Sequence, residues 1–150
     1  MARAKKSKVE KKSKPKIFII DRKRGKLARL KDELSEKGIM VKVLDDKLEG
    51  FEQDIRERWD GILLRAELSK LIPRIRKLLG VRYLPIMLVY YDKKPKKDAS
   101  PLNGADDYIV LPEQQKELLT RIYAMIERRQ KTIDDHTVML GYQTLEHILS

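Results

Sequence analysis

Short apolar runs alternate with amphipathic stretches along most of this chain. Lys16-Ile17-Phe18-Ile19-Ile20-Asp21 is a continuous apolar run closed by an acid, the pattern of a strand buried on both faces of a parallel sheet. Leu27, Leu30 and Leu34 then recur at helical spacing, predicting a helix from Gly25 to Lys37 that Gly38 stops. Ile39 to Leu44 predicts a second strand, and residues 48–58 a short helix with Leu48, Phe51 and Ile55 inward. Gly61-Ile62-Leu63-Leu64 predicts a third strand. A helix from Leu68 to Leu79 follows, closed by Gly80, and Pro73 places the start of its regular part near Ile72. Pro85 to Tyr91 predicts a fourth strand and Tyr108 to Val110 a fifth. Between them, Lys93, Lys94, Lys96 and Lys97 mix with Pro95 and Pro101, a poor composition for a long helix. Glu113 to Arg129 predicts a strong helix with Leu118, Leu119, Ile122, Met125 and Ile126 as its buried stripe. Strands alternating with helices imply a doubly wound α/β sandwich, and units of this length favour the flavodoxin-like strand order 2-1-3-4-5.

Charge divides the chain. The net charge is +11, but the first sixteen residues carry Arg3, Lys5, Lys6, Lys8, Lys11, Lys12, Lys14 and Lys16 against Glu10 alone. With Val9 as its one large apolar residue past the start, residues 1–15 are expected to be a disordered basic tail. Such a tail either solubilises the protein or contacts an anionic surface. Without an aromatic ring, any nucleic-acid contact there is non-specific. The domain proper spans 16–129, and 130–150 is a linker or docking segment. In that last segment Thr137 to Tyr142 suggests a strand, with Leu145, Ile148 and Leu149 inward from a short helix. Cysteine is absent, which excludes disulfides and thiol chemistry. His136 and His147 are too far apart for one helical turn and read as surface residues. No apolar run reaches the ~18 residues that span a bilayer, and no signal-peptide pattern is present, so a cytoplasmic location is expected.

Specific chemistry enters with Gly104-Ala105-Asp106-Asp107-Tyr108-Ile109-Val110-Leu111-Pro112, continued by Glu117 to Ile122. This stretch resembles the last strand and helix of a CheY-like response-regulator receiver domain of the OmpR/PhoB type. Asp60-Gly61-Ile62-Leu63-Leu64-Arg65 and Pro85-Ile86-Met87-Leu88 match the third and fourth strands of the same family, so the resemblance covers 16–129. It implies a (βα)5 flavodoxin-like fold with an eroded fourth helix.

The resemblance also implies a cluster at the carboxyl ends of the strands. Two acids after the first strand hold Mg²⁺, an Asp ending the third accepts a phosphoryl group, a Ser or Thr ends the fourth and a Lys the fifth. This chain departs at nearly every position. Asp21 is followed by Arg22, the phosphoacceptor position is Arg65, the hydroxyl position is Tyr90 and the lysine position is Leu111. Asp21 and the aromatic switch position, Tyr108, match. Exchanging a carboxylate for a guanidinium turns attraction for a cation into repulsion, each worth about 4 kcal/mol at ~4 Å and an effective dielectric of ~20. The expectation is a degenerate site without metal or cofactor, with Arg65 as the counter-charge of Asp21.

The docking surface implied by the resemblance is retained. Receivers of this type dimerise through their fourth helix, fifth strand and fifth helix. By position the charged residues of that face are Lys97, Asp106, Asp107, Glu117, Arg121 and Arg128, with Tyr123 at its edge. The leading reading is a non-phosphorylatable pseudo-receiver that acts as a protein-interaction or dimerisation module in signalling and is not an enzyme. The alternatives are a nucleic-acid-associated regulator using the basic tail, and a sensor of an anionic small ligand at the former active site.

Overall fold

The computed structural model describes residues 14–92 and 104–129. The predicted strands form β1 (Lys16–Ile20), β2 (Met40–Leu44), β3 (Gly61–Arg65), β4 (Ile86–Tyr91) and β5 (Asp107–Leu111). All neighbours pair in parallel, in the order β2-β1-β3-β4-β5 expected from the βα alternation.

Alternation along each strand builds two cores. Phe18 and Ile20 of β1 join Ile62, Leu64, Ile86 and Leu88 on one face of the sheet, whereas Ile17 and Ile19 join Leu63, Met87, Val89 and Ile109 on the other. The first face is covered by α2 (Phe51–Asp54) and α3 (Ile72–Leu79), the second by α1 (Leu30–Glu36) and the last helix, α4, residues 118–129. Leu118, Ile122 and Met125 of α4 are buried, with Leu119 and Ile126 half-buried beside them. The first core has an aromatic centre. Trp59 stacks on Phe18 at 3.8 Å between ring centroids, and Phe51 is tilted against Phe18 at 5.1 Å.

Several boundaries differ from the sequence expectation. The first helix starts at Leu30 rather than Gly25, because the backbone of 22–28 turns around the side chain of Asp21. The second helix is one turn, not eleven residues, since Arg56 to Asp60 lead straight into β3. The third opens as a 3₁₀ segment, Ala66–Leu71, and becomes α-helical at Ile72 with Pro73 in its first turn. The last opens likewise, as 3₁₀ over Gln115–Glu117. β2 is an edge strand with Met40 51% exposed, so it is not buried on both faces as the inner strands β1 and β3 are.

Lys16 is not part of a tail. It is the first residue of β1, its ammonium 2.8 Å from Glu57 and 4.5 Å from the Trp59 ring centre. The rest of the basic tail up to Lys12, the segment with Lys97, and the strand and helix expected within 130–150 lie outside the described residues. Lys14 is exposed.

Candidate functional site at the carboxyl edge of the sheet

The strand ends converge on one side chain. Asp21 follows β1 directly and is 1% exposed. Such deep burial of a carboxylate requires donors. The Arg22 amide donates to Oδ1 at 2.7 Å and the Ala28 amide to Oδ2 at 3.0 Å. Gly25 passes so close that a Cβ there would overlap the carboxylate. Asp21 is therefore the post around which the β1–α1 loop is wound.

The second element is Arg65, the last residue of β3. Its Nη1 lies 3.7 Å from Oδ1 of Asp21, and its Nε donates to Oε2 of Glu67 at 2.6 Å. Glu67 is thus the nearer acid. The guanidinium also lies 4.8 Å from the ring centre of Tyr91, whose ring carries the Lys26 ammonium at 5.6 Å. Burial, as the larger cause, and the charges of Asp21 and Glu33 push the Tyr91 hydroxyl up to about 12, with Arg65 opposing them. The ring is a neutral platform under two cations.

Tyr90 points to the opposite face from Tyr91, as strand alternation requires. It packs on the first core and meets Tyr108 edge-on, with centroids 5.9 Å apart at 87°. Its hydroxyl is also raised, mainly by burial. Leu111, 1% exposed, belongs to the second apolar core and lies opposite Tyr91 in the β4–β5 register. Arg22 is exposed.

This donor set does not fit Mg²⁺, which requires several hard oxygen ligands in near-octahedral array. Asp21 offers one carboxylate, already engaged by two amides, with a guanidinium beside it. No group of three or more His, Cys, Asp or Glu among the described residues is placed to hold a metal ion.

The charges of the β5–α4 side are largely satisfied within the chain. Asp106 departs from the expectation of a displayed charge. Its carboxylate turns inward and accepts from Arg76 Nη2 at 3.0 Å, Tyr83 Oη at 3.1 Å and the Ile86 amide at 2.8 Å. Arg121 donates to Asp107 Oδ1 at 3.2 Å and to the Tyr108 carbonyl at 2.7 Å, with Glu117 4.0 Å away. Arg128 reaches the Asp106 carbonyl at 3.4 Å. What remains open on this side is aromatic: Tyr108 is 37% and Tyr123 42% exposed.

Glu67 and Tyr91 were not singled out from sequence. Glu67 sits two residues after Arg65, a spacing with no helical or strand meaning across a strand end. Tyr91 had a signal, since alternation sends one tyrosine of the Tyr90-Tyr91 pair to each face. No helix among the described residues is long and apolar enough to cross a membrane.

Comparison with known proteins agrees with this architecture. A scan against protein-family models finds no match. The response regulator MprA of Mycobacterium leprae is 29% identical over 137 residues, covering 86% of this chain and 58% of MprA. The response regulator ArlR of Staphylococcus saprophyticus is 31% identical over 128 residues, covering 80% of this chain and 56% of ArlR. The chain thus spans little more than half the length of these relatives. Among solved structures, a two-component response regulator from Clostridium difficile matches with a TM-score of 0.56 and 28% identity, covering 76% of this chain and 97% of that one. Sheet order, sequence and structural likeness lead to one conclusion: the described residues form a response-regulator receiver domain.

Proposed function

We propose that this receiver is not phosphorylated and acts as a protein-interaction module in signal transduction. The observation that carries the reading is Arg65 at the end of β3, engaged with Asp21, Glu67 and Tyr91. Acyl-phosphate formation requires a carboxylate nucleophile at this place, and a guanidinium has no acceptor lone pair to offer. Leu111 supplies no cation for a phosphoryl group, and Tyr90 presents a phenol where a small hydroxyl is required. Incubation with Mg²⁺ and acetyl phosphate or beryllofluoride is expected to leave intact mass and thermal midpoint unchanged. A stoichiometric adduct would overturn the reading.

The contact surface is the β5–α4 side, where Tyr108 and Tyr123 are exposed beside the Asp107–Arg121–Glu117 cluster. Surface ion pairs contribute little singly, so the two rings supply the apolar part of the contact, to a second copy or to another protein. Arg121→Glu, which reverses the central charge, is expected to lower the mass measured by sedimentation or to abolish partner binding. No change in either would refute the assignment.

A further inference from the structure

Six cations follow Asp21 along the chain, Arg22, Lys23, Arg24, Lys26, Arg29 and Lys31, with no further acid until Asp32. All six are exposed. Among the described residues none of them forms an ion pair, and Lys26 alone makes a charge contact, with the Tyr91 ring. Elsewhere in the domain cations hold acids. Lys42 lies 2.7 Å from Asp54, Arg76 3.0 Å from Asp106 and Arg121 3.2 Å from Asp107. Five like charges on the loop and a sixth in the first turn of α1 repel one another, and the Tyr91 ring under Lys26 is a small internal return.

The loop is held in place nonetheless. Asp21 binds it at both ends through the Arg22 and Ala28 amides, and Leu27 anchors it in the second core. Arg24 takes a left-handed conformation, φ 60°, at the turn. The cations are thus presented from a fixed backbone.

The surroundings discriminate among anionic partners. A protein interface needs an apolar centre, and stable attachment to a bilayer needs an apolar anchor in addition to basic charge. The large exposed apolar side chains of the described residues are Met40, Val81, Tyr108 and Tyr123, none of them on this loop. A phosphate backbone needs charge alone. We propose that the β1–α1 loop binds the phosphate backbone of a nucleic acid. The nearest ring, Tyr91, is half-buried under Lys26 and Arg65 and is not free to stack on a base, so the binding carries no base preference. This inference is independent of the state of the phosphorylation site.

The test keeps the full chain and separates loop from tail. One variant neutralises the tail (Arg3, Lys5, Lys6, Lys8, Lys11 and Lys12 to Gln). A second neutralises the loop (Arg22, Arg24 and Arg29 to Gln), and a third carries both sets. Fluorescence anisotropy with a labelled random-sequence duplex is measured between 50 and 200 mM salt. The tail-neutral protein is expected to bind with a log–log salt slope of about −3 to −5, a loss of about 60- to 1,000-fold over that range. Adding the loop substitutions is expected to weaken binding at least tenfold at low salt and to flatten the slope by about 3. Circular dichroism checks that the variants fold. Should the loop-neutral protein not fold, Lys23→Gln with Lys31→Gln takes its place, with a slope change of about 2. No duplex binding by the tail-neutral protein at 50 mM salt, or equal binding with and without the loop charges, would overturn the proposal. Tighter binding to phosphatidylserine vesicles than to the duplex would overturn it in favour of a membrane surface.

Discussion

Replacing Gly25 by Ala tests whether Asp21 is a structural post. The added Cβ would overlap the Asp21 carboxylate, which is buried and held by the Arg22 and Ala28 amides at 2.7 and 3.0 Å. The carboxylate cannot move aside without breaking at least one of these bonds. A hydrogen bond to a charged group contributes about 1.5–3 kcal/mol, and the Arg65 contact at 3.7 Å weakens with it. Gly25 is not among the glycines with positive φ, so no backbone penalty is added, and the lower chain entropy of Ala returns about 0.4–1 kcal/mol. The expected net cost is about 1–3 kcal/mol, a sizeable share of the 5–15 kcal/mol typical of a domain. Urea unfolding followed by the fluorescence of Trp59, the single tryptophan, is expected to show a midpoint lower by roughly 1–3 M. In an Asp21→Ala background the same substitution has room, so its cost falls below ~1 kcal/mol and the pair is coupled. Gly61→Ala is the control for softness: its Cβ would meet the flexible end of Met125 at 2.5 Å, and it is expected to cost only ~1 kcal/mol. A Gly25→Ala cost below ~1 kcal/mol, or the same cost in both backgrounds, would refute the account of Asp21.

Asp106→Asn removes the counter-charge of Arg76 and is expected to cost ~2 kcal/mol by thermal unfolding. The same variant reports on Tyr83, whose hydroxyl is pushed up to about 12, first by burial and then by Asp106. Folded Tyr83 keeps its proton where an unfolded tyrosine loses it. Stability from this group is therefore full below pH ~10 and falls as pH rises from about 10 to about 12. Ultraviolet difference titration is expected to show a smaller elevation in Asp106→Asn, but not a return to the ordinary value, because burial remains. Arg65→Asp sets a second carboxylate beside Asp21. It is expected to lower the thermal midpoint in EDTA, with ~2 °C or more regained in millimolar Mg²⁺, while the parent protein does not respond. Trp59→Phe keeps an aromatic ring against Phe18 but removes the 2.6 Å bond from Nε1 to the Asp54 carbonyl. A cost of about 1–2 kcal/mol by circular dichroism is expected.

The sheet was legible because its signal is redundant. Continuous runs such as Ile17 to Ile20 and Ile86 to Val89 can satisfy their apolar side chains only between two helical layers, and five such runs leave few topologies. Helix starts were less legible because side chains distant in geometry, not in composition, decide them. Nothing in Gly25 to Arg29 shows that Asp21 will claim the Ala28 amide and delay the helix to Leu30. The doublet Asp106-Asp107 shows the same limit. Composition marks both as acids at a strand entrance, but only the fold brings Arg76 and Tyr83 beneath the first and Arg121 beside the second. The placement of Arg65, Tyr90 and Leu111 at the carboxyl ends of β3, β4 and β5 was legible by position. The pairing of Arg65 with Glu67 required the 3₁₀ segment that brings residue 67 back towards residue 65.

The buried position of Leu111 shapes which mutational routes are open to this domain. Leu111 lies opposite Tyr91, and the Tyr91 ring rests against the Arg65 guanidinium. A lysine introduced at 111 alone would bring an ammonium into an apolar cluster that already has a cation at its margin. An aspartate introduced at 65 alone would oppose Asp21 without a compensating charge. In the absence of metal each single exchange meets its own penalty, whereas the double exchange sets the new ammonium against the second carboxylate. Substitutions at 65 and 111 are therefore expected to be coupled, the double exchange costing less than the sum of the two single ones.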